Sequence, residues 1–132
     1  STKGGVIWLG EHHNSLPDHQ LQTSIIQSLH SSLNNGSGKR TPLSIGLEQI
    51  QIKFQNHLDA FVAGDISEKE MITLVEWDTR WSWPYEVYRP VFNLARELGI
   101  PLVALNVNSE DLALVAKDGL PGLDPKMRRE YI

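Results

Sequence analysis

The sequence predicts an α/β domain in which a parallel sheet carries helices on both of its faces. Three short apolar runs, "VIWLG" (residues 6–10), "PLSIGLE" (42–48) and "IPLVALN" (100–106), have the length of strands and the composition of strands buried on both faces. Helical apolar periods separate these runs along the chain. Because strands alternate with helices, right-handed crossovers and parallel pairing are expected.

The helices have local signals of their own. After Pro17, apolar residues recur every four positions from Leu21 to Leu33, and a Gly/Asn-rich loop follows at residues 34–40. A second helix is expected to turn three residues inward: Phe54, Leu58 and Phe61. Ser67 to Glu70 fits a capping box, and Pro84 opens a helix that Gly99 closes. Three histidines that occur singly on predicted helices are expected to face solvent: His19, His30 and His57.

Composition excludes several classes of function. The 132 residues, 40% hydrophobic and 21% charged, fit one globular domain over residues 1–132. The net charge of -4 argues against a nucleic-acid partner. The absence of cysteine excludes disulfides, thiolate metal sites and thiolate nucleophiles. No apolar run approaches the roughly 20 residues of a membrane span, so no transmembrane segment is expected.

Each predicted strand ends in a polar residue. Glu11, His12 and His13 follow the first strand, Glu48 ends the second and Asn106 ends the third. Because ligands of open parallel sheets bind beyond the carboxyl ends of the strands, these side chains are expected to converge on one site. The alternative is that the glutamates cap the following helices and that the histidines are solvated.

Three stretches resemble the ChaN-like haem-binding family, within the superfamily that includes TIKI metalloproteases and erythromycin esterases. They are "LGEHHNSLPDHQLQ", "GLEQIQIKFQNHLDAFVAGDIS" and "EWDTRWSWPYEVYRPVFNLARELGIPLVALNV". The matching motifs are Gly-Glu-x-His after the first strand, Gly-x-Glu after the second, Tyr-x-Pro and Ala-x-Asn. His12 occupies the variable position of the first motif, so the resemblance implies less for it than for its neighbours.

The resemblance implies haem or iron handling, and the tryptophan-rich segment supplies residue types that suit it. Trp81, Tyr85 and Tyr88 could form one wall of a haem pocket, either tyrosine could ligate ferric iron, and Arg89 could meet a propionate. The alternative is that these aromatic residues pack in the core.

Two further functions compete with haem binding. Glu11, His13 and Glu48 offer two carboxylates and an imidazole, enough for a divalent metal with an open position. The resemblance to TIKI and erythromycin-esterase domains would then imply a metal-dependent hydrolase. The third possibility is a non-catalytic interaction domain whose polar strand ends only cap helices.

The end of the sequence and the size of the sheet suggest a partial domain and an oligomer. Domains of the family usually continue further, whereas "DPKMRREYI" reads as a helix that has just begun. A small sheet with unpaired edges, and a single wall for a flat ligand, predict a homodimer or larger assembly. The segment from Trp77 to Arg89 is expected near the contact.

Overall fold

The computed structural model describes residues 4–34 and 42–131, so most of the loop predicted at residues 34–40 lies outside the described residues. Seven helices and two strands are found in the described ranges: α1 Leu16–Asn34, β1 Ile45–Gln51, α2 Gln55–Ala63, α3 Glu68–Leu74, α4 Trp77–Arg80, α5 Tyr85–Leu98, β2 Leu102–Asn106, α6 Ser109–Asp118 and α7 Pro125–Tyr131. Short 3₁₀ turns cover Ile52–Phe54 and Leu120–Gly122. None of the helices in this part of the chain is long and apolar enough to cross a membrane.

The two strands pair in parallel with helices around them, which confirms the α/β class. Their register is interrupted by a bulge in β1. Leu47 faces Ala104 and Gln51 faces Asn106, so four residue steps on β1 oppose two on β2. A bulge of this kind bends the strand and changes the direction of its side chains. Glu48 and Gln49 lie within it.

The first predicted strand is not formed. Residues 4–13 contain no strand, and Val6, Ile7 and Trp8 are exposed rather than buried. Apolar composition favours burial but does not supply a hydrogen-bonding neighbour, and in the described residues β1 pairs with β2 alone. The expected three-stranded sheet is therefore a two-stranded one here.

The other two strands differ from the prediction in their ends and burial. β1 begins and ends three residues later than expected, so Glu48 lies inside the strand rather than at its end. β2 ends at Asn106 as predicted. Burial alternates along β2, with Leu102 and Ala104 inward and Val103 and Leu105 outward, so this strand is not buried on both faces.

The core lies between the sheet and α2, α3 and α5. Phe54, Leu58 and Phe61 point inward as predicted. The capping box at Ser67 is present, since its hydroxyl accepts from the Glu70 backbone while the Glu70 carboxylate accepts from the Ser67 backbone. Helix α5 begins after Pro84 and ends at Gly99, whose φ of 64° is left-handed. These local signals fix the helix that carries much of the aromatic core.

Helix α1 buries a different face from the one its apolar period indicates. The residues that repeat every four positions are exposed or only partly buried: Leu21, Ile25, Leu29 and Leu33. The buried residues of α1 are His19 and Ile26, and the helix packs against α5. The expectation that His19 faces solvent is therefore wrong, because α5 covers the side of α1 that carries it.

Candidate functional site

Glu11 lies at the centre of a buried polar cluster, and its carboxylate is only 8% exposed. One oxygen, Oε1, lies 3.2 Å from His13 Nδ1 and 3.4 Å from Gln49 Nε2. The other, Oε2, lies 3.0 Å from His19 Nδ1 and 2.8 Å from Gln22 Nε2. Four nitrogens therefore surround a carboxylate that is almost out of contact with water, as a buried charge requires.

Three parts of the chain build this cluster. Glu11 and His13 come from the segment that precedes α1. His19 and Gln22 are three residues apart on α1, a spacing that places them on one face of the helix. The bulge in β1 contributes Glu48 and Gln49 to the cluster, and Gln49 is buried.

His13 is the more accessible imidazole of the cluster. Its side chain is 37% exposed, and its Nδ1 lies 3.7 Å from Glu48 Oε1 in addition to its contact with Glu11. Ligand atoms of these three residues all lie within 4.8 Å of one another. Two carboxylates and one imidazole at this separation form a set suited to a divalent cation such as zinc.

His12 points away from the cluster. Its backbone N–H donates to Asp18 Oδ2 at 2.8 Å, and its ring Nδ1 lies 2.9 Å from the same oxygen. The hydrogen bond from that backbone N–H, helped by the one from the ring, lowers the pKa of Asp18 to about 2. The structure thus places His12 in the turn before α1, with a largely exposed side chain.

His19 is the residue that sequence reasoning missed. It is fully buried, its ring lies 4.2 Å from the ring of Tyr88, and its Nε2 is 3.4 Å from the His13 carbonyl oxygen. A weak signal was present, because His19 and Ile26 are seven residues apart and share a helix face. The more apolar stripe that begins at Leu21 predicted a different buried face, so this signal was outweighed.

The tryptophan-rich segment forms a cleft, and His13 contacts two of its tryptophans without itself lining the cavity. A cavity of about 430 Å³ is lined by Trp81, Trp83, Pro84 and Tyr85 among others. The His13 ring packs edge-on against Trp81, with centroids 5.2 Å apart, and lies 5.9 Å from Trp83. The volume is within the usual range for small-molecule sites, and aromatic walls are typical of them.

Tyr85 and Tyr88 are buried in the core, and of the two only Tyr85 is among the residues that line the cleft. Each is 3% exposed, and burial raises the pKa of both phenols above its ordinary range. The Tyr85 hydroxyl is 3.5 Å from a Glu68 oxygen. The Tyr88 hydroxyl is directed toward Glu11 and Trp81 but makes no hydrogen bond of normal geometry within the described residues.

Two other predicted site residues lie at a distance from the Glu11 cluster. Arg89 is engaged by carboxylates, since its Nε donates to Glu68 at 3.0 Å and its guanidinium lies 3.7 Å from Glu86. Asn106 faces Gln51 across the sheet, beyond the bulge that carries Glu48. The structure brings together Glu11, His13 and Glu48, with the tryptophan cleft adjacent, and leaves Arg89 and Asn106 outside the cluster.

Comparison with known proteins identifies the family of the chain. No curated protein and no solved structure matched the chain. A family model described as haem-binding uptake, Tiki superfamily, ChaN matches residues 2–132, which is nearly the whole sequence. The chain belongs to this ChaN family of haem-binding uptake proteins in the Tiki superfamily.

Proposed function

We propose that the protein binds haem or a related iron tetrapyrrole in the tryptophan cleft, with His13 as the iron ligand. The observation that carries this proposal is the position of the His13 ring, which is partly exposed and packs against Trp81 and Trp83. Its Nδ1 faces the Glu11 carboxylate, which leaves Nε2 without that constraint. Ligating histidines commonly donate their other ring N–H to a carboxylate, which fixes the tautomer and the ring orientation.

The tyrosines are less suited than His13 to ligate iron. A phenolate ligand requires a deprotonated oxygen, and burial disfavours that form at Tyr85 and Tyr88. Tyr88 is not among the residues that line the cleft, and the Tyr85 hydroxyl lies 3.5 Å from a Glu68 oxygen. We therefore assign the tyrosines to the support of the site and keep Arg89, which is 41% exposed, as a candidate partner for a propionate.

A second candidate function is supported by the Glu11, His13 and Glu48 set itself. These residues could hold a divalent cation through His13 Nδ1, which lies 3.2 Å from Glu11 and 3.7 Å from Glu48. A bound cation of this kind would supply Lewis acidity or an activated water. The cation site uses His13 Nδ1 and needs the carboxylates of Glu11 and Glu48 as ligands. The haem site uses His13 Nε2 and needs only Glu11, as the partner of Nδ1.

Titrations of haem and of Co²⁺ distinguish the two proposals. We expect His13→Ala to lower the affinity for both haem and Co²⁺. Glu48→Gln should lower the affinity for Co²⁺ and leave the Soret band of bound haem nearly unchanged. His30→Ala, a partly exposed histidine of α1, is the matched control. Sedimentation with and without haem tests the predicted homodimer in the same samples.

Three outcomes would contradict the proposals. Haem binding unaffected by His13→Ala would remove His13 as the iron ligand. Co²⁺ binding unaffected by both His13→Ala and Glu48→Gln would remove the cation site. If the native protein binds neither haem nor Co²⁺, the interaction-domain interpretation is the one that stands.

A further inference from the structure

We propose that His19 is a positioning residue that holds the Glu11 carboxylate in the orientation a divalent cation requires. The inference rests on the second candidate function, the cation site of Glu11, His13 and Glu48. His19 does not belong to that group of ligand atoms. It contacts the group through the inner oxygen of Glu11, at 3.0 Å.

The two oxygens of Glu11 have separate partners. The inner oxygen, Oε2, contacts two side chains of α1: it accepts from Gln22 Nε2 and lies 3.0 Å from His19 Nδ1. The outer oxygen, Oε1, faces His13 and Gln49. Rotation of the carboxylate would exchange these two environments. Side chains fixed around the inner oxygen therefore determine where the outer oxygen points.

His19 is itself fixed more firmly than the other partner of the inner oxygen. Its ring is fully buried, lies 4.2 Å from the Tyr88 ring, and directs Nε2 at the His13 carbonyl oxygen, 3.4 Å away. Gln22 is only partly buried, its Nε2 donates to Glu11 and to the Leu9 carbonyl, and its Oε1 lies 3.3 Å from His19 Nδ1. Loss of the His19 ring therefore removes both the 3.0 Å neighbour of the inner oxygen and the group that orients the Gln22 amide.

Partners that orient a metal-binding carboxylate typically change metal affinity by about 10–100-fold when they are removed. The chain allows a matched pair of substitutions that separates this effect from a general loss of packing. The amide of Asn branches at Cγ and places a donor near the position of Nδ1, whereas Gln extends further and mimics Nε2. His19→Asn should preserve the contacts with Glu11 and Gln22, and His19→Gln should preserve only the contact with the His13 carbonyl.

The experiment measures Co²⁺ affinity and its visible absorption, together with the melting temperature without metal, for both variants. We expect His19→Gln to bind Co²⁺ about 10–100-fold more weakly, with an altered spectrum, and His19→Asn to stay close to the native protein. The melting temperatures of the two variants should be similar, because both replace a buried ring by a smaller amide. His30→Asn and His30→Gln, on the same helix, control for substitution of a histidine on α1.

Equal Co²⁺ affinity of His19→Asn and His19→Gln would overturn the proposal, since the position of the donor would then be irrelevant. A metal-free crystal structure of His19→Gln provides a second test that does not need the cation. There we expect the 3.2 Å contact between Glu11 and His13 to be lost, and its persistence would refute the positioning role. If the native protein binds no Co²⁺, the cation function fails, and the metal-free structure still decides whether His19 positions Glu11.

Discussion

Replacement of Glu11 by glutamine tests whether this carboxylate is the buried centre of the site. The native side chain accepts hydrogen bonds and exposes 8% of its surface. Glutamine keeps the shape but replaces one acceptor oxygen by an NH₂ donor. Turned toward α1, that donor would oppose the nitrogens of His19 and Gln22. Turned outward, the donor faces Gln49 and His13, which can both present an acceptor.

The outward orientation is the less costly one. Gln49 can reverse its amide, because its Oε1 has no hydrogen-bond partner within the described residues, and the partly exposed His13 can adopt the other tautomer. The Gln22 hydrogen bond and the His19 contact at the inner oxygen then persist, but both lose the carboxylate charge, at about 1 kcal/mol each. Easier burial of the amide offsets part of that loss, so we expect Glu11→Gln to destabilise the fold by about 1–2 kcal/mol.

Thermal unfolding without metal measures this effect. For a chain of 132 residues, the expected loss lowers the melting temperature by roughly 4–8 °C. Glu48→Gln is the matched control, since its carboxylate is 60% exposed and its contact with His13 is 3.7 Å long. That variant should stay within about 0.5 kcal/mol of the native protein. If Glu11→Gln were as stable as Glu48→Gln, Glu11 would not be the buried hub that the distances indicate.

Two further predictions concern the scaffold of the site. Phe92 is fully buried against Trp77, so Phe92→Ala should lower the free energy of unfolding, measured in urea, by about 3–5 kcal/mol. Leu112→Ala, an exposed control, should change that free energy little. Similar losses for both variants would contradict the assigned core. Hydrogen bonds from Arg80, together with one from a lysine, lower the pKa of Glu110 from 4.5 to about 2. Because the folded pKa is the lower one, this stabilisation is complete above pH 4.5 and is lost as the pH falls toward 2. Glu110→Gln should therefore flatten the acid dependence of stability in that window, and an unchanged profile would show that the ion pair is not formed in solution.

The sequence by itself determined the elements that depend on neighbouring residues. The capping box at Ser67 and the boundaries of α5 at Pro84 and Gly99 were correctly predicted, because a helix end is fixed by side chains within a few positions of it. The α/β class and parallel pairing were also readable from the order of apolar runs. Glu11, His13 and Glu48 were selected as a metal-binding set from residue type and position, and the structure places them together.

Only the tertiary structure decided how those residues meet. Glu48 reaches the cluster from a bulge inside β1 rather than from a strand end, and Glu11 comes from a segment that pairs with no strand in the described residues. A bulge arises from the pairing of two strands that are distant in sequence, so no local pattern predicts it. The burial of His19 depends likewise on which face of α1 meets α5. The packing of the two whole helix surfaces determines which face is buried. It buries His19 in the site, although the apolar period of α1 predicted that His19 would face solvent.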